Sequence, residues 1–135
     1  MVNQQFAFAL HILAMLACSG GTVDSRTVAA SVNTNPVVIR RLLLALRRAG
    51  LVETSAGKRG GARLKKKPAD VTLLDIYNAI ELRPAIAINE RHPFKKCRVS
   101  CCMQPIMEKI SEGAEEAMRS HLRRTTLREV MRRIK

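Results

Sequence analysis

The chain has 135 residues, of which 47% are apolar, 26% charged and only 3% aromatic. This composition predicts one folded domain, or one domain with an appended helix, rather than a disordered chain. The net charge of +13 favours polyanionic partners and disfavours an ordinary metabolic enzyme. No stretch offers the roughly 20 apolar residues that a membrane span needs, and no segment has the pattern of a secretory signal. We therefore expect a cytoplasmic protein with no membrane partner.

The first 50 residues predict three helices. Residues 3–17 are apolar on nearly every side, which indicates a buried helix, and we interpret His11 as a core or interface histidine and Cys18 as a packing residue. Asp24 is suited to cap a short second helix. Pro36 suits the first position of a third helix, 36–49, because its missing N–H would be unpaired there anyway. The leucines of this helix lie on one face and its arginines largely on the rest.

A hairpin and three further helices are predicted for the remainder. Residues 51–55 and 62–66 are short strand candidates on either side of a glycine-rich, basic tip. Thr72 and Asp75 have the spacing of a capping box, which predicts a helix through Glu81. Prolines and weak periodicity indicate a linker after that helix, and a long helix is expected from about Met103, followed by a short last helix. We therefore divide the chain into 1–82, a Cys-containing linker at 83–102, and 103–135.

Positive charge is concentrated in two blocks. Residues 40–67 carry ten basic side chains and one acid, and residues 119–135 carry seven basic side chains and one acid. A solvated face rarely concentrates one sign of charge in this way. Three helices followed by a two-stranded hairpin with a basic tip is the order of a winged helix-turn-helix. We predict a mainly α fold with a small β-wing, in which 1–82 binds DNA and 103–135 holds a long dimerisation helix and the short last helix.

The third helix would lie in the major groove of duplex DNA. Asn35 and Arg40 are the candidates for base edges, because Asn pairs with adenine and Arg with guanine through two hydrogen bonds each. The other arginines of the helix cannot all face one groove, so some would contact phosphates or solvent. Lys58 and Arg59 at the hairpin tip are long enough to enter a minor groove. The predicted DNA-binding residues are Asn35, Pro36, Val37, Arg40, Arg41, Arg47, Arg48, Lys58, Arg59, Gly60 and Gly61.

Two of these assignments have purely structural alternatives. Asn35 stands where a cap of the third helix belongs, and the two roles can coexist. Gly60 and Gly61 would let the wing backbone approach DNA closely, or they serve only the hairpin turn. The sequence leaves both alternatives open.

These residues resemble a known family. The run SVNTNPVVIRRLLLALRRAGLV at 31–52, the pair Gly60-Gly61 and the segment VTLLDI at 71–76 are similar to the Rrf-two family of bacterial winged-helix transcription regulators. The likeness spans nearly the whole chain. It implies a sequence-specific DNA-binding regulator, expected to be a repressor, and a symmetric homodimer formed through the long helix. Some members of the family sense iron–sulfur clusters, nitric oxide or cysteine supply.

Two positions depart from the family pattern. Gly57 stands where the wing of family members commonly has Arg, which leaves Lys58 or Arg59 to take that place. Arg40 stands where many members have Glu early in the recognition helix. A Glu would accept from the amino group of cytosine, whereas Arg suits guanine, so the operator sequence cannot be carried over.

Three cysteines cluster near the end of the linker: Cys97, Cys101 and Cys102. In a reducing compartment this pattern indicates metal or redox use more than disulfides. Thiol oxidation is favoured by Lys95, Lys96 and Arg98, whose charges stabilise a thiolate at Cys97. Iron–sulfur or zinc binding, with His92 as a fourth ligand, is an alternative, although adjacent cysteine side chains diverge. The cysteines could also have no sensing role, and we expect no resident cofactor.

The apolar stripe of 103–122 has no other element in so short a chain to cover it, so a two-fold partner is expected to bury it. The main prediction is therefore a dimeric regulator that binds double-stranded DNA. One alternative is a basic RNA- or ribosome-associated protein, which the shortage of aromatic stacking platforms disfavours. The other is a thiol oxidoreductase that uses Cys97 and Cys101. The sequence contains no catalytic motif, so we predict no enzyme activity.

Overall fold

The computed structural model describes residues 4–80 and 83–134. Three helices come first: α1 (Gln5–Ser19), α2 (Ser25–Val32) and α3 (Pro36–Arg48). An antiparallel hairpin follows, formed by β1 (Val52–Ser55) and β2 (Gly61–Leu64). A short 3-10 turn (Pro68–Asp70) leads to α4 (Leu73–Ala79), α5 (Arg98–Arg123) and α6 (Leu127–Met131). The predicted fold class, mainly helical with a small β-wing, is confirmed.

In the winged unit, residues 4–80, side-chain caps begin α2, α3 and α4 where the sequence predicted them. Asp24 accepts from the backbone N–H of Thr27 at 2.8 Å, which begins α2. Asn35 accepts from the N–H of Val37 at 2.8 Å, and Thr72 and Asp75 form a reciprocal capping box at α4. These contacts satisfy N–H groups that a helix leaves unpaired at its first turn. The described part of α4 ends earlier than predicted, and Glu81 lies outside the described residues.

Helix α1 lies at the centre of the core and contacts α2, α3, α4, α6 and β2. Its buried face packs against the leucine face of α3 and the first residues of the wing. Each fully buried Leu, Ile or Val contributes about 1.5–3 kcal/mol relative to an exposed one. The largest side chains that are almost completely buried are Ile12, Leu13, Leu16, Val28, Ile39, Leu46, Leu51, Val52, Val71, Ile76 and Leu127.

The wing is joined to the segment before α2. Val23 and Ala62 exchange two backbone hydrogen bonds, of 2.9 and 2.8 Å. A Cβ on Gly61 would collide with the carbonyl group of Val23, and one on Gly60 would collide with the carbonyl oxygen of Ser55. Both glycines are therefore required by packing within the protein, which supports the structural alternative for this pair.

The linker is shorter than predicted, because α5 begins at Arg98 and not at Met103. Cys101 and Cys102 thus lie within the helix, as does Pro105. Proline inside a helix removes one hydrogen bond but does not always end it, and here the helix continues through it. Val99 precedes Met103 by four residues, so the apolar spacing of the long helix extends upstream to the observed start.

Two residues of α1 are not packed as expected. His11 is exposed, with Nε2 2.9 Å from the hydroxyl oxygen of Ser31, and Cys18 is also exposed. Neither residue belongs to the core of this protomer, so the core interpretation of His11 and the packing interpretation of Cys18 are wrong, and the interface alternative for His11 stays a prediction. Within 4–80 and 83–134, no helix is both long and apolar enough to span a membrane.

Candidate nucleic-acid interface

A groove of about 760 Å³ lies between α3 and the wing. One side is formed by α3 and another by the wing hairpin, while the start of α2 forms a third. The wing reaches the start of α2 because Val23 pairs with Ala62. The lining residues are Asp24, Ser25, Arg26, Arg40, Leu43, Leu44, Arg47, Thr54, Ser55, Gly57, Lys58, Gly60 and Gly61.

Helix α3 presents its basic side to the groove because its apolar side is committed to the core. Ile39 and Leu46 are completely buried, and Arg40 and Arg47, each one residue later on the helix, are turned about 100° away from that face and are exposed. Two apolar side chains also remain accessible: Val37 is 51% exposed and Leu44 is 43% exposed. Such residues on a basic helix suit apolar contact with the methyl group of thymine.

Arg40, Arg47 and Lys58 of the groove have no ion-pair partner among the described residues, whereas Arg26 interacts electrostatically with Asp24. Within the described parts of the chain, ion pairs involve only Arg63 with Glu53 and Arg119 with Glu115, and neither arginine lines the groove. The acid of the groove, Asp24, is occupied by Thr27, whose backbone N–H and hydroxyl both donate to it. The backbone N–H is the main reason that the pKa of Asp24 lies below its ordinary value. The groove is therefore suited to bind an external anion.

The structure brings part of the predicted set together. Arg40, Arg47, Lys58, Gly60 and Gly61 line the groove. The other six predicted residues do not line the groove, although Arg41 and Arg59 among them are exposed. These six are Asn35, Pro36, Val37, Arg41, Arg48 and Arg59.

Arg48 instead lines a separate hollow beside α4, with Asn78 and Ile80. This placement agrees with the expectation that the arginines of α3 cannot all face one groove. The side-chain oxygen of Asn35 is used as the helix cap.

Eight groove residues were not among the predicted contacts: Asp24, Ser25, Arg26, Leu43, Leu44, Thr54, Ser55 and Gly57. Leu44 could have been found as the leucine that departs from the buried spacing of α3. Asp24, Ser25 and Arg26 become neighbours of the wing through the pairing of Val23 with Ala62, 39 positions later in the chain. Periodicity and capping rules act over a few residues and cannot detect such a pairing.

The cysteines are free thiols at the start of α5. Cys97 precedes the first helical residue and is half-buried, while Cys101 and Cys102 are exposed. The sulfur of Cys101 lies 3.7 Å from the carbonyl oxygens of both Phe94 and Lys95. Cys97 and His92 line a common cavity of about 290 Å³. The thiols therefore occupy one end of the long helix, away from the groove residues.

A family model described as "Rrf2: Iron-dependent Transcriptional regulator" matches residues 2–133. The chain belongs to the Rrf2 (Rrf-two) family. It is 37% identical over 131 residues to YwnA of Bacillus subtilis (strain 168), which is named among the HTH-type transcriptional regulators. The match covers 97% of both chains.

Solved structures agree with the membership in the Rrf2 family. A crystal structure described as a DNA binding protein is 35% identical, with a TM-score of 0.76 over 94% of this chain and 98% of that one. CymR, described as the global cysteine regulator of B. subtilis, is 22% identical and has the same fold, with a TM-score of 0.68 over 100% of this chain and 98% of CymR. The predicted DNA-binding regulator is confirmed, and transcriptional regulators are not enzymes.

The description of the Rrf2 family as iron-dependent raises the question of whether these residues fit an iron site. An iron–sulfur cluster requires several thiolate or imidazole ligands that converge on one point. Cys101 and Cys102 are successive helix residues whose side chains diverge, and within the described ranges no three His, Cys, Asp or Glu side chains form a group that could hold a metal ion. The residues of one protomer therefore do not fit an iron–sulfur cluster.

Proposed function

We propose that this Rrf2-family regulator is a homodimeric repressor that acts in the cytoplasm. Helix α3 of each protomer would enter the major groove of an operator half-site, and the wing tip would enter the adjacent minor groove. The observation that carries the proposal is the groove between α3 and the wing, whose Arg40, Arg47 and Lys58 have no ion-pair partner in the described structure. An α-helix fits the major groove of B-DNA, and long cationic side chains enter the minor groove.

The geometry supports distinct roles for the residues at the start of α3. Arg40 is exposed and is suited to guanine, while Val37 is suited to a thymine methyl group. The oxygen of Asn35 is used by the helix cap, and a bidentate contact with adenine would require that same oxygen. We therefore assign Asn35 to positioning α3, and any contact with adenine would have to use the second lone pair of the same oxygen. Pro36 preorganises the first turn, and Arg41 and Arg48 are assigned to phosphates.

An uncovered apolar stripe on α5 supports the homodimer. Val99, Met103, Ile106 and Ile110 follow one another at three- and four-residue intervals and are 65%, 41%, 49% and 50% exposed. A contiguous apolar surface of this kind marks an interaction site. Because α5 has 26 residues, it is about 39 Å long. A second copy related by a two-fold axis would bury both stripes and present two recognition helices to half-sites about one DNA turn apart.

Operator selection followed by a charge-removal series tests the DNA interface. Replacing both Lys58 and Arg59 by Ala is expected to weaken operator binding more than about tenfold and to make the salt dependence shallower, since fewer counterions are released. The matched control replaces Lys95 and Lys96 by Ala. This variant loses the same amount of positive charge, but from residues outside the groove. Unchanged affinity in the wing variant, or a preference of the wild type for RNA over duplex DNA, would refute the interface.

A second proposal concerns the thiols: operator affinity falls when they are oxidised. Cys102 is exposed and directly precedes Met103 of the apolar stripe, so a polar group formed there would disturb the proposed dimer seam. Hydrogen peroxide is the expected oxidant: the thiolate attacks one of its oxygens, the O–O bond breaks, sulfur becomes a sulfenic acid, and the departing hydroxide takes a proton from solvent to become water.

The test of the thiol response begins with anaerobic purification, an absorption spectrum and metal analysis. Operator affinity is then measured with peroxide and after reduction by a dithiol. Substitution of Cys102 by Ser is expected to remove the response. Bound iron with sulfide-to-metal absorption would instead establish a cluster sensor, and an operator affinity that ignores both oxidant and iron would leave the cysteines without a sensing role.

A further inference from the structure

Four side chains connect the winged unit to the long helix, and we name them the α4–α5 cluster: Tyr77, Asn78, Glu115 and Arg119. The hydroxyl of Tyr77 donates to Glu115 Oε1 at 2.9 Å. Nε of Arg119 lies 3.4 Å from the same oxygen, and Nη1 of Arg119 donates to Asn78 Oδ1 at 2.7 Å. The guanidinium carbon of Arg119 lies 5.4 Å from the centre of the Tyr77 ring. Two residues of α4 are thus held by two residues of α5.

The cluster is anchored in the core of the winged unit. Tyr77 is only 5% exposed, and the centre of its ring lies 6.3 Å from that of Phe6 in α1. Burial, together with the hydrogen bond to Glu115, raises the pKa of Tyr77 above its ordinary value. At neutral pH the phenol therefore remains a proton donor to Glu115. Movement of Tyr77 would disturb both the cluster and the packing of α1.

The α4–α5 cluster contains one unfavourable feature, so its role is not simply to stabilise the fold. Oε2 of Glu115 is buried and has no hydrogen-bond partner in the part of the chain that the structure describes. A buried carboxylate oxygen without a partner destabilises a fold, and the ion pair of Arg119 with Glu115, whose side chains are 38% and 20% exposed, offsets little of this. A polar network between two helices does favour one relative orientation of those helices, because other orientations would break its hydrogen bonds. The cluster thus favours one orientation of α5 on α4.

The cluster also lies where the body of α5 meets the winged unit. The hydroxyl of Ser111 donates to the carbonyl of Ile86, which belongs to the segment before α5. The backbone bond from Leu73 N–H to Thr125 lies beyond the end of α5. The N–H of Leu127 also donates to the carbonyl of Val71, so these backbone contacts hold the end of α5 to the start of α4, and the cluster adds a second attachment earlier on the helix.

We infer that the α4–α5 cluster determines which half-site spacing the dimer accepts, by fixing the angle between each winged unit and its α5. This inference rests on the proposed homodimer through α5. One base pair advances the duplex by about 3.4 Å, and a change of about 10° acting across about 20 Å moves a recognition helix by a similar distance. A small loss of rigidity at the cluster is therefore sufficient to weaken the preference of the dimer for one half-site spacing.

The test measures affinity for a series of operators whose half-sites are moved apart or together by one and two base pairs. The wild-type dimer is expected to prefer one spacing by about tenfold, equivalent to about 1.4 kcal/mol. Tyr77→Phe, which removes only the hydroxyl, and Arg119→Gln should each reduce that preference by about threefold or more. Arg123→Gln is the matched control, because it removes the same charge four residues later on α5, from an exposed arginine with no ion-pair partner among the described residues.

The ratio of affinities separates positioning from a structural role. Simple destabilisation would weaken binding at every spacing equally and would lower the melting temperature, whereas loss of positioning changes the ratio. Sedimentation confirms that each variant is still a dimer. Unaltered spacing preference in both Tyr77→Phe and Arg119→Gln would overturn the inference while leaving the proposed function intact. A monomeric wild type, or one that binds no operator, would overturn the proposed function and the inference with it.

Discussion

The winged unit at 4–80 and the segment at 83–134 differ in how completely they bury their apolar residues. Among the described residues, buried apolar side chains come from the winged unit, with Leu127 as the exception. Helix α5 is twice as long as α3, yet Ser111 is the buried residue that it provides. Its large apolar residues Val99, Met103, Ile106 and Ile110 are exposed.

The difference shows which part of the molecule requires a partner. Stability in a small domain comes mainly from apolar burial, and the winged unit achieves this within one chain. An isolated helix of this length with an exposed apolar stripe gains little from its own hydrogen bonds, so α5 is completed by packing against another surface. The winged unit would therefore tolerate dilution, whereas the arrangement of α5 would depend on protein concentration.

The largest expected effect comes from substitutions in the exposed apolar stripe of α5. Replacing both Ile106 and Ile110 by Glu should weaken the dimer more than about hundredfold, because each buried Ile contributes about 1.5–3 kcal/mol and each glutamate adds an unpaired charge. Sedimentation velocity over a concentration series measures the change. Lys109→Glu, which introduces the same residue beside the stripe on α5, should leave the dimer intact. If the double variant sediments as the wild type does, the claim that α5 needs a partner to bury its apolar stripe would be wrong.

An intermediate effect is expected from a substitution in the buried core of the winged unit. Leu46 is completely buried in α3, and Leu46→Ala should lower the free energy of unfolding by about 2–5 kcal/mol. Leu44→Ala, two residues earlier and on the exposed side, should change stability by less than about 0.5 kcal/mol while weakening operator binding. Urea unfolding at one protein concentration provides the stabilities. Equal losses in the two variants would mean that α3 does not have separate core and DNA faces.

The smallest effect concerns the cap of α2. The Thr27 backbone N–H, with the Thr27 hydroxyl, holds the pKa of Asp24 below its ordinary value. The folded state thus binds this proton less tightly than the unfolded state. The stabilisation is present above the unfolded pKa and is lost as pH falls through the lower folded pKa.

An NMR titration of the Asp24 carboxyl carbon and the Thr27 amide follows this loss. Asp24→Asn should keep a cap but remove the pH dependence of the Thr27 amide, since Asn is also a favourable cap without an acidic proton. An Asp24 that titrates at or above the ordinary carboxyl pKa would show that the cap is not formed in solution.

Local rules made most of the winged unit predictable. Asp24, Asn35 and Thr72 were identified as helix starts because a capping side chain contacts an N–H only two or three residues away. The leucine face of α3 follows from helical spacing alone. The basic groove was predicted through Arg40, Arg47 and Lys58, because helix order and charge already place these residues on one unit.

Long-range contacts could not be predicted in this way. The pairing of Val23 with Ala62 adds the start of α2 to the groove, and the hydrogen bond between Tyr77 and Glu115 joins residues 38 positions apart. Such contacts depend on how complete elements pack, which spacing within one element does not encode. The start of α5 was predicted too late for a different reason: Pro84, Pro93 and the weak periodicity of residues 83–100 indicated a linker, whereas the helix begins at Arg98.

The pairing of Val23 with Ala62 has a consequence for the thermodynamics of binding. A hairpin that swung freely would lose conformational entropy on entering a minor groove, about 1–2 kcal/mol for each backbone residue that becomes fixed. Here the root of the wing is already immobilised when the chain folds, with Gly61 in contact with Val23. DNA then meets a preorganised surface, and less of the contact energy is lost to ordering. Folding and DNA affinity are thereby coupled through Val23, a residue that does not line the groove.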